Sequence, residues 1–152
     1  MNLDNYDYNH SNSGLDYEFE SAGPNGIIKK VVRFSPIGKN IYNLGFGDLD
    51  EKTGEISDFA VSDNKDTDKV LATIAAIAWY FTDIFPGAAI YIKGTTPSRT
   101  RLYQMKITEH WELIGALFEV QGLRQGRWSL FEKKVNYEAF LARRHEGAFF
   151  DG

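Results

Sequence analysis

The sequence predicts an α+β domain: a largely antiparallel β-meander packed by a central helix over about 67–85, with a second helix over about 97–117. Three observations carry this expectation. Residues 17–62 alternate apolar and polar positions in short runs separated by Gly, Pro and Asn turns. The apolar spacing then changes to three and four between Val70 and Phe85. After Leu117 the alternation returns. An apolar share of 43% and an aromatic share of 14% in 152 residues suit one packed domain with its own core, and exclude a disordered chain.

Each element has a local reason. Residues 1–16 are polar and acidic and are expected as a loosely ordered arm, with Tyr6 and Tyr8 as its docking points, and 145–152 as a tail. Tyr17–Ala22 alternates aromatic and acidic side chains; Gly23-Pro24-Asn25-Gly26 is a turn, and Ile27–Ile37 completes a hairpin. Gly38-Lys39-Asn40 turns into a third strand, Ile41–Phe46. The acidic turn 48–54 leads to a fourth strand, Glu55–Ser62. Asp48, Asp50, Glu51 and Glu55 lack the oxygen spacing of a helix-flanked calcium loop and are expected at a solvated hairpin tip, with no metal.

Asn64, Asp66, Thr67 and Asp68 supply cap candidates and negative charge where the long helix starts. Val70, Ile74, Ile77, Ala78, Phe81, Ile84 and Phe85 form its apolar stripe, Trp79 and Tyr80 its edge, and Pro86-Gly87 its stop. Ala88–Lys93 is a strand expected to run parallel to the one before the helix. Thr96 is an N-cap with Pro97 at the first helical position. The helix from Pro97 is expected to turn Leu102 and Met105 to the core. It either continues to Leu117 or breaks at Ile107-Thr108, with Thr108 capping a second segment. Phe118–Leu123, Arg127–Phe131 and Tyr137–Ala142 are the closing strands.

Charge is uneven. Residues 1–85 carry 7 Lys/Arg against 14 Asp/Glu, and residues 86–152 carry 10 against 7, so an anionic partner belongs with the C-terminal half. The absence of cysteine excludes disulfides, thiolate metal sites and a cysteine nucleophile. No charged-then-apolar leader stands at Met1, and the run Val70–Phe85 is too short and too interrupted to span a bilayer, which makes a cytoplasmic protein without membrane contact the expectation. Neither of the glycine-rich nucleotide-binding loops occurs, nor a zinc-protease or hydrolase motif, so no cofactor is expected.

The strongest candidate site is the strand–turn–helix junction at 93–106. Lys93, Thr95, Thr96, Ser98, Arg99, Arg101 and Lys106 combine hydroxyls, cations and the outward amides of a helix N-terminus, with no acid in the segment. Helix N-termini favour anions, and the arginine fork grips phosphate through paired hydrogen bonds. The competing reading is that Thr96 only caps the helix and the arginines pair with carboxylates of the meander. A phosphate-bearing ligand or nucleic acid is the partner class that the junction fits.

Two other readings stay open. Arg99, Arg101, Tyr103 and His110 resemble the equipment of a metal-independent, toxin-like ribonuclease, with His110 and Tyr103 as the candidate catalytic groups. A protein-interaction module, most simply a homodimer through exposed strands or the aromatic C-terminal region, is the other. Arg124, Arg127, Lys133, Lys134, Arg143 and Arg144, interleaved with Trp128, Phe131, Tyr137 and Phe140, fit base stacking or a strand with one buried face, and packing is the favoured reading.

Five stretches together carry a resemblance: Phe46-Gly-Asp-Leu-Asp50, Thr53-Gly-Glu55, Asp68-Lys-Val-Leu-Ala-Thr73, Lys93-Gly-Thr-Thr-Pro-Ser-Arg-Thr-Arg-Leu-Tyr103 and Asn136-Tyr-Glu-Ala-Phe-Leu141. With them the chain resembles a family of small bacterial proteins, about 150 residues long, whose domain has no known function. The resemblance covers residues from about 3 to 144. It implies a stand-alone cytoplasmic protein and transfers no catalytic residue.

Overall fold

The computed structural model describes residues 4–57 and 64–147. They form three helices and nine strands, paired mostly antiparallel, an α+β fold. They divide into two compact units, residues 4–35, 45–57 and 64–84, and residues 36–44 and 85–147. The acidic and basic halves of the sequence follow this division. The first unit has 6 Lys/Arg against 12 Asp/Glu, and the second 11 against 6.

In the first unit, β2 (Asp16–Gly23) and β3 (Gly26–Gly38) form the expected hairpin, from Asp16 opposite Arg33 to Gly23 opposite Gly26. The alternation sets its faces: Tyr17, Phe19 and Ser21 are buried, while Glu18 and Glu20 are exposed. Helix α1 (Thr67–Ile84) lies on that buried face, with Phe34 and Phe81 stacked at 3.9 Å and Tyr80 edge-on to Tyr17 at 6.1 Å. Burying a ring such as Phe81 stabilises the unit by about 1.5–3 kcal/mol. Beside the stripe residue Ala78, Ala72, Ala75 and Ala76 are also buried, so the inward face of α1 is wider than the stripe. Ile84, expected on the stripe, is exposed at the helix end.

Residues 4–16, expected as a loosely ordered arm, are held along α1. The Tyr6 N–H donates to Thr73 Oγ1 at 2.8 Å, its hydroxyl donates to Asp66 Oδ2 at 2.6 Å, and Lys69 sits 4.4 Å from its ring centre. A short strand β1 (Asn9–His10) pairs with β2, and His10 and Tyr8 pack against Tyr17 and Tyr80. The aromatic content of the arm outweighs its polarity, because each docked ring removes apolar surface from water. Burial, and then the neighbouring Tyr80 and Tyr8, pushes the Tyr17 hydroxyl well above the ordinary tyrosine range.

Two expectations for this unit change. Asp48 is not at a solvated tip. It lies in β4 (Ile41–Leu49), buried, and pairs with Lys30, which is only 2% exposed. Lys30 sits opposite Phe19 and therefore shares its inward face, so an acid had to follow it inside. Of the strand expected over 55–62, β5 (Ile56–Ser57) pairs with Asp48 and Leu49; the rest lies outside the described residues.

The second unit is a sheet in the order β4, β6 (Ala89–Ile92), β9 (Ala139–Arg144), β7 (Phe118–Arg124), β8 (Arg127–Leu130). The parallel partner of β6 is β4, through Ile41–Asn43, and not the strand just before α1. One face is buried: Ile90, Phe118, Val120, Phe140 and Ala142 lie beneath an aromatic cluster in which Trp111 stacks on Phe131 at 4.9 Å. The other face is open at β8, where Trp128 and Leu130 are exposed, while Ala89, Ala139 and Leu141 on the same face are buried.

The second helical region is two helices, α2 (Pro97–Glu109) and α3 (Trp111–Leu117), and the break falls at His110, not at Ile107-Thr108. The His110 backbone (φ −109°, ψ 24°) ends the first helix, and its carbonyl starts the second by accepting from Leu113 and Ile114 N–H; Thr108 caps nothing. Met105, expected in the core, is 51% exposed, and Leu102 is only half-buried. The face turned inward is Thr100, Gln104 and Ile107. Polar groups are buried there because they complete the backbone of their neighbours. Gln104 donates to the Val135 carbonyl and accepts from Tyr137 N–H, tying the 131–138 connection to α2.

Candidate functional site

β6 ends at Ile92 and α2 begins at Pro97, so the junction is four residues long. Thr96 is the N-cap as expected. Its backbone is extended and its hydroxyl accepts from Arg99 N–H at 3.2 Å, with Pro97 at the first helical position. Thr100 closes the junction from the helix side: its Oγ1 accepts from Gly94 N–H at 3.0 Å and lies 3.3 Å from the Thr96 carbonyl. Gly94 is required by this approach. A Cβ on it would stand 2.5 Å from Arg99 Cβ and 2.6 Å from the Thr100 nitrogen.

These bonds narrow the anion cradle. Pro97 has no N–H, and the Arg99 and Thr100 amides end on Thr96. Ser98 N–H is the remaining first-turn amide, so a ligand here is gripped mainly by side chains. Lys93, Thr95, Thr96, Ser98 and Arg101 are exposed. Arg99 and Arg101, two positions apart, lie on opposite sides of the helix and do not converge. Arg101 shares an exposed ridge with Ser98 and Met105, while Arg99, Tyr103, Lys106 and His110 form a half-buried flank.

Partners divide the cations further. Lys106 Nζ lies 3.3 Å from Glu109 Oε2, and Arg99, Tyr103 and His110 engage neighbours within the fold. Among the described residues neither Lys93 nor Arg101 is paired with a carboxylate. The His110 Nε2 atom is buried. Among the described residues no cluster of His, Asp and Glu could hold a metal ion.

A family model described as a family of unknown function, DUF6934, matches residues 2–145. The chain belongs to this family. No curated protein and no solved structure matches it. Membership therefore brings no catalytic residue, and the chemistry of the site is read from its geometry. No helix among the described residues is long and apolar enough to cross a membrane.

The C-terminal aromatics separate cleanly. Phe131, Tyr137 and Phe140 are buried in the core, whereas Trp128 stays 39% exposed on the open face, edge-on to Tyr91 at 6.3 Å. Tyr91 stands on β6 and Trp128 on β8, so the two rings lean toward each other over β9 and β7, where Ala139 and Leu141 are buried. Arg124 and Arg127 sit directly opposite each other across the β7–β8 turn, a like-charge pair in which both side chains are exposed. Arg143 is opposite Glu119, which offsets it. His145 Nε2 contacts the Gly115 carbonyl at 3.0 Å and serves packing.

Sequence reasoning missed Gly94, Thr100 and Gln104. A glycine closing an apolar run was the available signal for the first. Nothing in the sequence marks a buried threonine or glutamine on a helix whose exposed side carries the methionine.

Proposed function

We propose that this chain binds a phosphate-bearing anionic ligand, of nucleic-acid type, in the bacterial cytoplasm, and that Lys93 and Arg101 with Ser98 are its contacts. The observation that carries the reading is a pair of exposed cations without a carboxylate partner among the described residues, on a junction held rigid by Gly94 and Thr100. A fixed junction costs a ligand little ordering entropy, and the excess of basic residues in the second unit adds long-range attraction. The metal-independent ribonuclease has less support, because His110, its acid–base candidate, has its Nε2 atom buried.

The test is fluorescence anisotropy with a labelled single-stranded oligonucleotide across about 50–200 mM salt. Binding should weaken as salt rises. The double variant Lys93→Ala/Arg101→Ala should weaken it further and lower the salt slope by about 0.7–0.9 per lost phosphate contact. Binding unchanged in the double variant would overturn the site, and no binding of oligonucleotide, nucleotide or inorganic phosphate would overturn the function.

A further inference from the structure

Among the described residues β8 is the last strand of its sheet, and all four of its residues are exposed. Its hydrogen-bonding direction follows from the register. Phe131 N–H donates to the Val120 carbonyl at 2.9 Å, so the Val120–Phe131 pair is of the hydrogen-bonded kind. Alternation makes Gly122–Ser129 and Arg124–Arg127 hydrogen-bonded as well, which the two-residue turn Gln125-Gly126 (φ 52° and 75°) also requires. Trp128 and Leu130 therefore aim their N–H and C=O groups away from β7, at the free edge. Their side chains share the open face, at 39% and 62% exposure. Proteins usually blunt such an edge with charge, proline or a cover. Here the two edge-facing residues are a tryptophan and a leucine.

We infer that β8 is a homodimer edge, pairing antiparallel with β8 of a second copy about a two-fold axis at Ser129. Three symmetric registers pair outward-facing residues. With Leu130 opposite Leu130, Trp128 falls opposite the partner's Glu132, beyond the end of β8, so its outward groups lose a strand partner. With Trp128 opposite Trp128, Leu130 faces the partner's Gly126, and the two Arg127 residues approach within about 7 Å along the strands. With Trp128 opposite the partner's Leu130, all four outward groups on each strand's two edge residues find partners. The leucine and tryptophan side chains of both copies then form one apolar strip.

In this third register each Arg127 lies opposite the partner's Phe131, and the two Arg127 residues stand about 14 Å apart along the strands. The Leu130 carbonyl faces the Tyr137 hydroxyl at 3.5 Å, which leaves it a second lone pair for the new strand. The interface is isologous, as two-fold dimers require, and it is independent of the ligand contacts at Lys93 and Arg101.

The absence of cysteine makes the register directly testable. Ser129 meets Ser129 at the axis as a pair outside the new hydrogen bonds, where Cα atoms stand about 4.5 Å apart, within reach of a disulfide. Mild oxidation of Ser129→Cys should give a covalent dimer faster than Gln125→Cys at the turn, the collision control. In sedimentation equilibrium the unmodified chain should move with concentration from 17.3 kDa toward twice that mass. Leu130→Lys, and Leu130→Pro, whose missing N–H is an outward one and not part of the β7–β8 ladder, should hold it at the monomer mass while circular dichroism stays unchanged. A chain monomeric at every concentration overturns the proposal, as does a dimer that both Leu130 variants leave intact. Equal crosslinking of Ser129→Cys and Gln125→Cys overturns the register.

Discussion

Replacing Gly94 by alanine is the sharpest perturbation of the junction. The added methyl would lie 2.5–2.7 Å from Arg99 Cβ, the Arg99 carbonyl carbon and the Thr100 nitrogen. None of these is the flexible end of a side chain, so the start of α2 must move as a body. Overpacking of this kind costs about 1–3 kcal/mol. The shift also stretches the bond from Gly94 N–H to Thr100 Oγ1, and a buried amide left without its partner costs about 1–3 kcal/mol. Thr100→Val removes that acceptor, together with the hydroxyl's 3.3 Å contact to the Thr96 carbonyl, without adding a methyl at Gly94, and so isolates the second part. Because both variants open the same latch, the double variant should lose less than the two single losses added together. Urea denaturation followed by tryptophan fluorescence is the assay. With a slope of about 1–3 kcal/mol per molar urea, Thr100→Val should lower the midpoint by about 1 M and Gly94→Ala by about 2 M. Oligonucleotide binding should weaken in Gly94→Ala as Ser98 and Arg101 lose their fixed relation to Lys93. A midpoint within error of the parent would refute the reasoning, because it would mean that the strand end and helix start are not in rigid contact.

Two further outcomes test the first unit. Lys30→Met strands the Asp48 charge inside and should cost about 3–5 kcal/mol, whereas Lys30→Met with Asp48→Leu should recover most of that loss in thermal unfolding. Tyr17 has its folded-state hydroxyl pKa raised above the unfolded value near 10, so its stabilising contribution is complete below about pH 10 and declines as the unfolded chain begins to ionise. Stability measured by denaturant between pH 9 and 11 should therefore fall with rising pH, and Tyr17→Phe should flatten that fall while losing the 2.8 Å bond to the Gly14 carbonyl.

Much of the fold was legible where the signal is local. The Gly23–Gly26 turn fixed the first hairpin, the three-four spacing from Val70 located α1 within a residue, and Thr96-Pro97 marked the start of α2. The errors concern what a residue faces. Its apolar side chain predicts Met105 in the core, but the inward side of α2 is set by two backbone segments in need of hydrogen bonds, at Gly94 and at Val135–Tyr137. Its acidic neighbours predict Asp48 in solvent, but Lys30 on the next strand draws it inside.

The candidate site shows the same division. Its residue types, its position at a helix start and its excess of cations belong to the sequence, since a cap, a proline and a run without acids are properties of neighbouring residues. The helix itself separates Arg99 from Arg101, sets Glu109 beside Lys106 and lets Thr100 reach back to the Gly94 amide. Tertiary structure decided which side of that helix faces out: Val135 and Tyr137, far along the chain, take the Gln104 amide inward and leave Arg101 and Met105 exposed. Local sequence sets conformational preference, which needs only near neighbours. Whether a charged or polar group is free for a ligand depends on every group within hydrogen-bond reach, and only folding brings those together.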